Sequence, residues 1–132
     1  MITALANGAE QILPVATIEE ALAAKAEHPE ALLCGERDGL RITAAQTGGT
    51  EFDLGNSPRE YTAEIVASKT LISTTTNGTR ALRACVNAEH TLVASFLNLT
   101  ATAQHLRVAA PKNLIFVCSG TYEEAALEDT LA

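Results

Sequence analysis

The chain has 132 residues and a mass of 13.9 kDa, enough for one domain with a substantial core. Apolar residues make up 47% and charged residues 19%, which excludes disordered and collagen-like chains, and with no Trp, 2 Tyr and 3 Phe the core must be built from Ala, Leu, Ile and Val. Sixteen acidic against nine basic residues leave a net charge of −7, a poor match to nucleic acid.

Three cysteines are too few and too odd for a disulfide framework and fit a reducing cytoplasm. The start, MITALANGAEQ, lacks the basic and apolar regions of a signal peptide, and no run of 18 apolar residues offers a membrane span.

In chain order, residues 2–7 read as the tail of a helix stopped at Gly8. Gln11 to Val15 is a short strand that Pro14 assigns to an edge or an end. Thr17 and Glu20 form a capping box that opens an alanine-rich helix to about His28. Ala31 to Cys34 is the next apolar run, and 43–52 is a polar surface loop. Ser57-Pro58-Arg59-Glu60 is a second capping box, opening a helix to about Ala67.

From Lys69 the pattern is regular. Strand Lys69–Thr75 precedes helix Gly78–Asn87, strand Thr91–Phe96 precedes a helix from Asn98 to about Ala109, and strand Asn113–Cys118 precedes an acidic helix. Strands alternating with helices predict a single α/β domain, with a mostly parallel sheet and helices on its faces. The chain begins inside an apparent helix with no strand before it and stops at Ala132, a few residues into another. The sequence therefore reads as part of a longer domain truncated at both ends, the alternative being a small domain with frayed ends.

In such a sheet, ligands sit beyond the carboxyl ends of the strands. The run Ser73-Thr74-Thr75-Thr76-Asn77-Gly78-Thr79-Arg80 offers hydroxyls, a turn and a guanidinium suited to phosphate or sulfonate; it reads equally as a capped helix with exposed threonines. In Cys34-Gly35-Glu36-Arg37-Asp38-Gly39-Leu40-Arg41 the arginines could hold anions and Glu36 or Asp38 a metal, although spacing alone favours a solvated turn with two ion pairs. Asp53, Asn56 and Ser57 precede a helix start, as caps or as oxygen ligands for Mg²⁺. Glu128 and Asp129 read as further ligands or as an acidic first turn.

Other chemistries are excluded. There is no Gly-Lys, no GxGxxG and no Asp-x-Asp. The three histidines are isolated, and six residues rather than five separate Cys34 from Arg41, so zinc sites, triads and cysteine-phosphatase loops have no support.

CGERDGLRI, FDLGNSPREYT and STTTNGTRAL, followed in order by SFLNLTA and CSGTYEEAALEDTLA, resemble the 2-phosphosulfolactate phosphatase family along essentially the whole chain. The resemblance implies that family's α/β fold and Mg²⁺-dependent hydrolysis of 2-phosphosulfolactate, or a related phosphorylated hydroxy acid, to sulfolactate and phosphate. In methanogens this step serves coenzyme M synthesis. Glu36 and Arg37 stand in the family's GER motif, Asp53, Asn56 and Ser57 in DLGNSP, and Thr74, Thr75, Thr76, Asn77, Gly78, Thr79 and Arg80 in TTTNGTR. Glu128 and Asp129 stand in the acidic motif.

The expected roles follow from charge. Glu36, Arg37, Asp53 and Arg80 are catalytic, and Asp53, Glu128 and Asp129 hold the metal. Asn56, Ser57 and residues 74–79 bind the substrate. The family's upstream Asp-Val-Leu-Arg-Ala-type strand is absent. The expected partner is a small anionic phosphate ester, with neither nucleic acid nor membrane, and with assembly of like chains left open. The competing expectations are a non-catalytic anion-binding module and an inactive remnant.

Overall fold

The computed structural model describes residues 1–121, 124–127 and 129. Helix α1 (Ile2–Ala6) leads into strand β1 (Gln11–Pro14), and helix α2 (Ile18–Glu27) into strand β2 (Leu32–Arg37). A hairpin returns as β3 (Leu40–Arg41), followed by α3 (Ala44–Thr47), a 3₁₀ turn (Pro58–Glu60), α4 (Ala63–Val66), β4 (Thr70–Thr74), α5 (Gly78–Ala84) and α6 (Leu99–Ala109).

The sheet order is β1-β4-β2-β3. β4 runs parallel to both β1 and β2, in the registers Ile12 to Leu71 and Leu33 to Ile72, and only β3 is antiparallel. The mostly parallel α/β class is therefore as expected, and Pro14 does sit on the edge strand, where a missing N–H costs no ladder bond.

Alternation along the strands divides the core in two. Cys34 and Leu71 face Ala4, Leu54, Tyr61 and Val66 on one side. Leu33 and Ile72 face Ala21, Ile42 and Phe52 on the other. Successive side chains of a strand point to opposite faces, so adjacent apolar residues in β2 and β4 serve two separate clusters.

Gly35 has a steric reason. A Cβ built there would lie 2.1 Å from the Thr74 carbonyl oxygen, so only glycine allows β2 this close to β4.

Local chemistry accounts for most departures from the expected elements. The Thr17 hydroxyl accepts from Glu20 N–H at 3.1 Å as foreseen, but the Glu20 carboxylate reaches one residue further back, to Ala16 N–H at 2.9 Å. The polar stretch 43–52 contains α3, opened at Thr43, whose N–H donates to Gln46 Oε1 at 2.9 Å. The box expected at Ser57 does not form. Glu60 instead accepts from Gly55 N–H at 2.8 Å, so only a 3₁₀ turn follows Pro58 before α4 begins.

The larger correction concerns the strands expected at Thr91–Phe96 and Asn113–Cys118. Neither forms: both segments are irregular and largely exposed. A strand exists only through a ladder partner, and among the described residues neither segment has one. Helix 99–109 is present as expected, whereas α5 stops at Ala84. After Gly120 the backbones of Thr121 and Glu124 bond reciprocally, and the rest of the expected acidic helix falls largely outside the described residues.

Candidate functional site

The carboxyl ends of β2 and β4 lie side by side, with Gly35 in register with Thr74. Beyond them, Asp38 and Gly39 take φ of +55° and +76° and form the two-residue turn between β2 and β3. Asp-Gly suits a turn with both central residues left-handed, and it was the overlooked sequence signal for this hairpin.

Glu36 joins that turn to the threonine loop. Its Oε1 accepts from Thr76 N–H at 2.7 Å, and its Oε2 accepts from Gly39 N–H at 2.9 Å and the Thr76 hydroxyl at 3.1 Å. The residue is only 8% exposed. Burial alone would raise its pKa, but the Thr76 and Gly39 N–H groups, the Thr76 hydroxyl and the Arg37 charge hold the carboxyl below its ordinary range.

Arg37 does not share this arrangement. Strand alternation turns it to the other face, where Nη2 donates to Thr74 Oγ1 at 3.0 Å and Nη1 donates to the Glu36 carbonyl at 2.7 Å.

The threonine run splits by burial. Thr74 and Thr79 are fully buried. Thr79 N–H donates to Thr75 Oγ1 at 3.2 Å, and the Thr79 hydroxyl donates to the Thr75 carbonyl at 3.0 Å. These hydroxyls brace the start of α5, led by Gly78, rather than face a ligand. Thr76 and Asn77 face outward.

A cavity of about 450 Å³ opens here, lined by Glu36, Asp38, Gly39, Asn56, Ser57, Thr76, Asn77 and Thr121. Residues of all three central motifs thus converge from separate segments, and among the described lining residues the only charges are the carboxylates of Glu36 and Asp38. Asn77 also borders a second cavity of about 160 Å³, lined by Arg80, Ala81, Val117, Cys118 and Ser119.

The expected metal ligands are not brought together. Asp53 Oδ2 accepts from Leu33 N–H at 2.8 Å, at the opposite end of β2 from Glu36, because the parallel bridge between Cys34 and Leu54 fixes its position. Asp129 Oδ2 accepts from Gly120 N–H at 2.7 Å and the Ser119 hydroxyl at 3.3 Å. Glu128 lies outside the described residues. Among the described residues no three His, Cys, Asp or Glu side chains gather to hold a metal ion. Of the charges expected to pair within the 34–41 turn, Arg41 pairs outside it, with Glu51 at 3.7 Å.

The open, mostly parallel sheet, with a polar cavity beyond its strand ends, belongs to the α/β class, whose small molecules sit at the carboxyl edge of the sheet. The sequence model of the 2-phosphosulpholactate phosphatase family matches residues 1–132, and the chain belongs to that family. A Thermotoga maritima protein named probable 2-phosphosulfolactate phosphatase is 44% identical over 131 residues, which cover 99% of this chain and 52% of the relative. Proteins of the same name from Clostridium acetobutylicum and Deinococcus radiodurans are 44% and 40% identical, over 96% and 99% of this chain. The chain spans about half the length of these curated relatives.

Proposed function

We propose that this chain contributes the substrate cavity of a phosphatase acting on 2-phosphosulfolactate or a related phosphorylated hydroxy acid, releasing sulfolactate and phosphate. The supporting observation is the convergence of the GER, DLGNSP and TTTNGTR segments on one cavity, through Glu36, Asn56, Ser57, Thr76 and Asn77. A place in coenzyme M synthesis is part of the same proposal.

The donor set bears on Mg²⁺. No cage of three protein ligands exists among the described residues, yet Mg²⁺ needs only one or two carboxylates together with substrate phosphate and water. Glu36 and Asp38, the carboxylates that border the cavity, would hold it there. When bound, the ion would supply positive charge to the phosphate oxygens.

The chain's own groups do the positioning. The Asn56 and Asn77 amides and the Ser57 and Thr76 hydroxyls border the same space and would donate to phosphate oxygens. Arg80, across Asn77 in the adjoining cavity, would meet the carboxylate or sulfonate end. Glu36 keeps Thr76 and Gly39 at a fixed separation. Arg37 acts from the other face by holding Thr74.

Three free cysteines, among the described residues, suit a reducing cytoplasm, and no described helix is long and apolar enough to cross a membrane. The excess of acidic residues disfavours nucleic acid.

The test is phosphate release from 2-phosphosulfolactate with Mg²⁺ and with EDTA. Release that stops in EDTA and returns with excess Mg²⁺ is the expected result. A second reading, an anion-binding module without hydrolysis, draws on the commitment of Arg37 to Thr74 and of Asp53 to Leu33. Substrate binding by calorimetry with no phosphate release, from a folded sample, would select it.

A further inference from the structure

Two segments of strong β character have no strand partner among the described residues, although Asn98 bonds the Val93 carbonyl and the Ser95 N–H of the first. Thr91–Phe96 and Asn113–Cys118 carry Leu92, Val93, Phe96, Ile115, Phe116 and Val117, all exposed; Ile115 and Phe116 retain 82% and 81% of their accessible surface. Among the described residues, Leu114 to Val117 make no backbone hydrogen bond, so four consecutive apolar residues present bare N–H and C=O groups. Exposed apolar side chains beside unpaired backbone groups are what an added strand recognises.

The large exposed apolar residues concentrate after Cys85. Before it, only Leu5, Leu40 and Ile65 are comparably exposed, although the first 84 residues hold both core clusters. The chain matches only about 52% of each relative, so a comparable length of polypeptide in the family domain lies outside the match. We propose that the Thr91–Phe96 and Asn113–Cys118 segments dock onto that complementary part of a family chain, pairing with it as strands and burying their apolar side chains against it. The occupant is thus a β-forming, apolar-faced polypeptide of the same family. The inference stands on exposure and unpaired backbone, independently of any catalytic reading.

The test has two arms. In the chain alone, hydrogen exchange at the amides of Leu92, Val93 and Leu114 to Val117 should be close to the unprotected rate, and an apolar dye should bind. The tagged chain is then co-expressed with the flanking segments of the Thermotoga maritima relative. These should co-purify in equal amounts, slow exchange at those amides by about 100-fold and displace the dye. Ile115→Lys with Phe116→Lys should abolish co-purification while leaving the melting of the chain alone unchanged, since both side chains are exposed there. The proposal is overturned if the amides are already protected in the chain alone, whether by self-packing or in a dimer of like chains. It is equally overturned if the expressed flanking segments fail to co-purify, or if the double variant captures them as well as the wild type.

Discussion

Replacing Glu36 by glutamine keeps the side chain's size and removes its charge, which isolates what the carboxylate does between the two loops. The carboxylate accepts three hydrogen bonds, from Thr76 N–H, the Thr76 hydroxyl and Gly39 N–H, while 8% exposed. A hydrogen bond to a charged group contributes about 1.5–3 kcal/mol, against about 0.5–1.5 for a neutral one. Glutamine keeps one acceptor oxygen but turns an NH₂ toward one of the backbone donors. The loss should be about 2 kcal/mol for Glu36→Gln and about 3 kcal/mol for Glu36→Ala, with water from the adjoining cavity limiting the second.

The pH dependence follows from the lowered folded-state pKa. Near neutral pH, well above the unfolded value of about 4.3, the contribution is fully present; it is lost as pH falls through the folded value. The stability gap between wild type and Glu36→Gln should therefore be constant from pH 6 to 8 and close progressively below about pH 4. Urea denaturation across that range, with hydrogen exchange at Thr76 and Gly39, measures both parts. Equal stability at pH 7 with equal protection of the two amides would refute the clamp.

Three further outcomes are expected. Gly35→Ala should destabilise by about 3 kcal/mol or more in urea denaturation, because its Cβ would meet the Thr74 carbonyl oxygen at 2.1 Å; a loss under about 1 kcal/mol would mean that β2 and β4 separate easily. Burial pushes the Cys34 thiol up to about 12, so at pH 8 an aromatic disulfide reagent should label exposed Cys118 rapidly and reach Cys34 only on unfolding; fast labelling of Cys34 in the folded chain contradicts its burial. Tyr61→Phe removes a buried hydroxyl that donates to the Gly55 carbonyl at 2.7 Å and should cost about 1–2 kcal/mol by thermal melting. An unchanged melting temperature would show that this bond does not help place the DLGNSP segment.

The candidate site was legible to different degrees. Glu36, Asn56, Ser57, Thr76 and Asn77 were candidates from their motifs, and they do line one cavity. Asp53 and Arg37 stand in the same motifs but do not line it. Asp53 is held by a backbone N–H near the start of β2, and Arg37 follows Glu36 by one residue, which in a strand reverses the face. Thr74 and Thr79 look identical to Thr76 as letters and differ entirely in burial. Asp38, named beside Glu36 as a possible metal ligand, and Gly39 line the cavity through a hairpin that the Asp-Gly pair announces.

What the amino-acid order alone determined is what nearest neighbours decide. The Thr17 cap, the turn at Asp38-Gly39 and the α/β alternation over the first 84 residues rest on contacts a few residues apart or on a short hydrophobic period. Only the tertiary structure decided the β1-β4-β2-β3 order, the close approach that requires Gly35, the side of the sheet each motif residue faces, and the fate of the segments at 91–96 and 113–118. The physical reason is that a strand is completed by hydrogen bonds to a partner distant in sequence. Apolar, β-branched residues make a segment capable of pairing, but the pairing itself needs an edge, and for these two segments the described residues provide none.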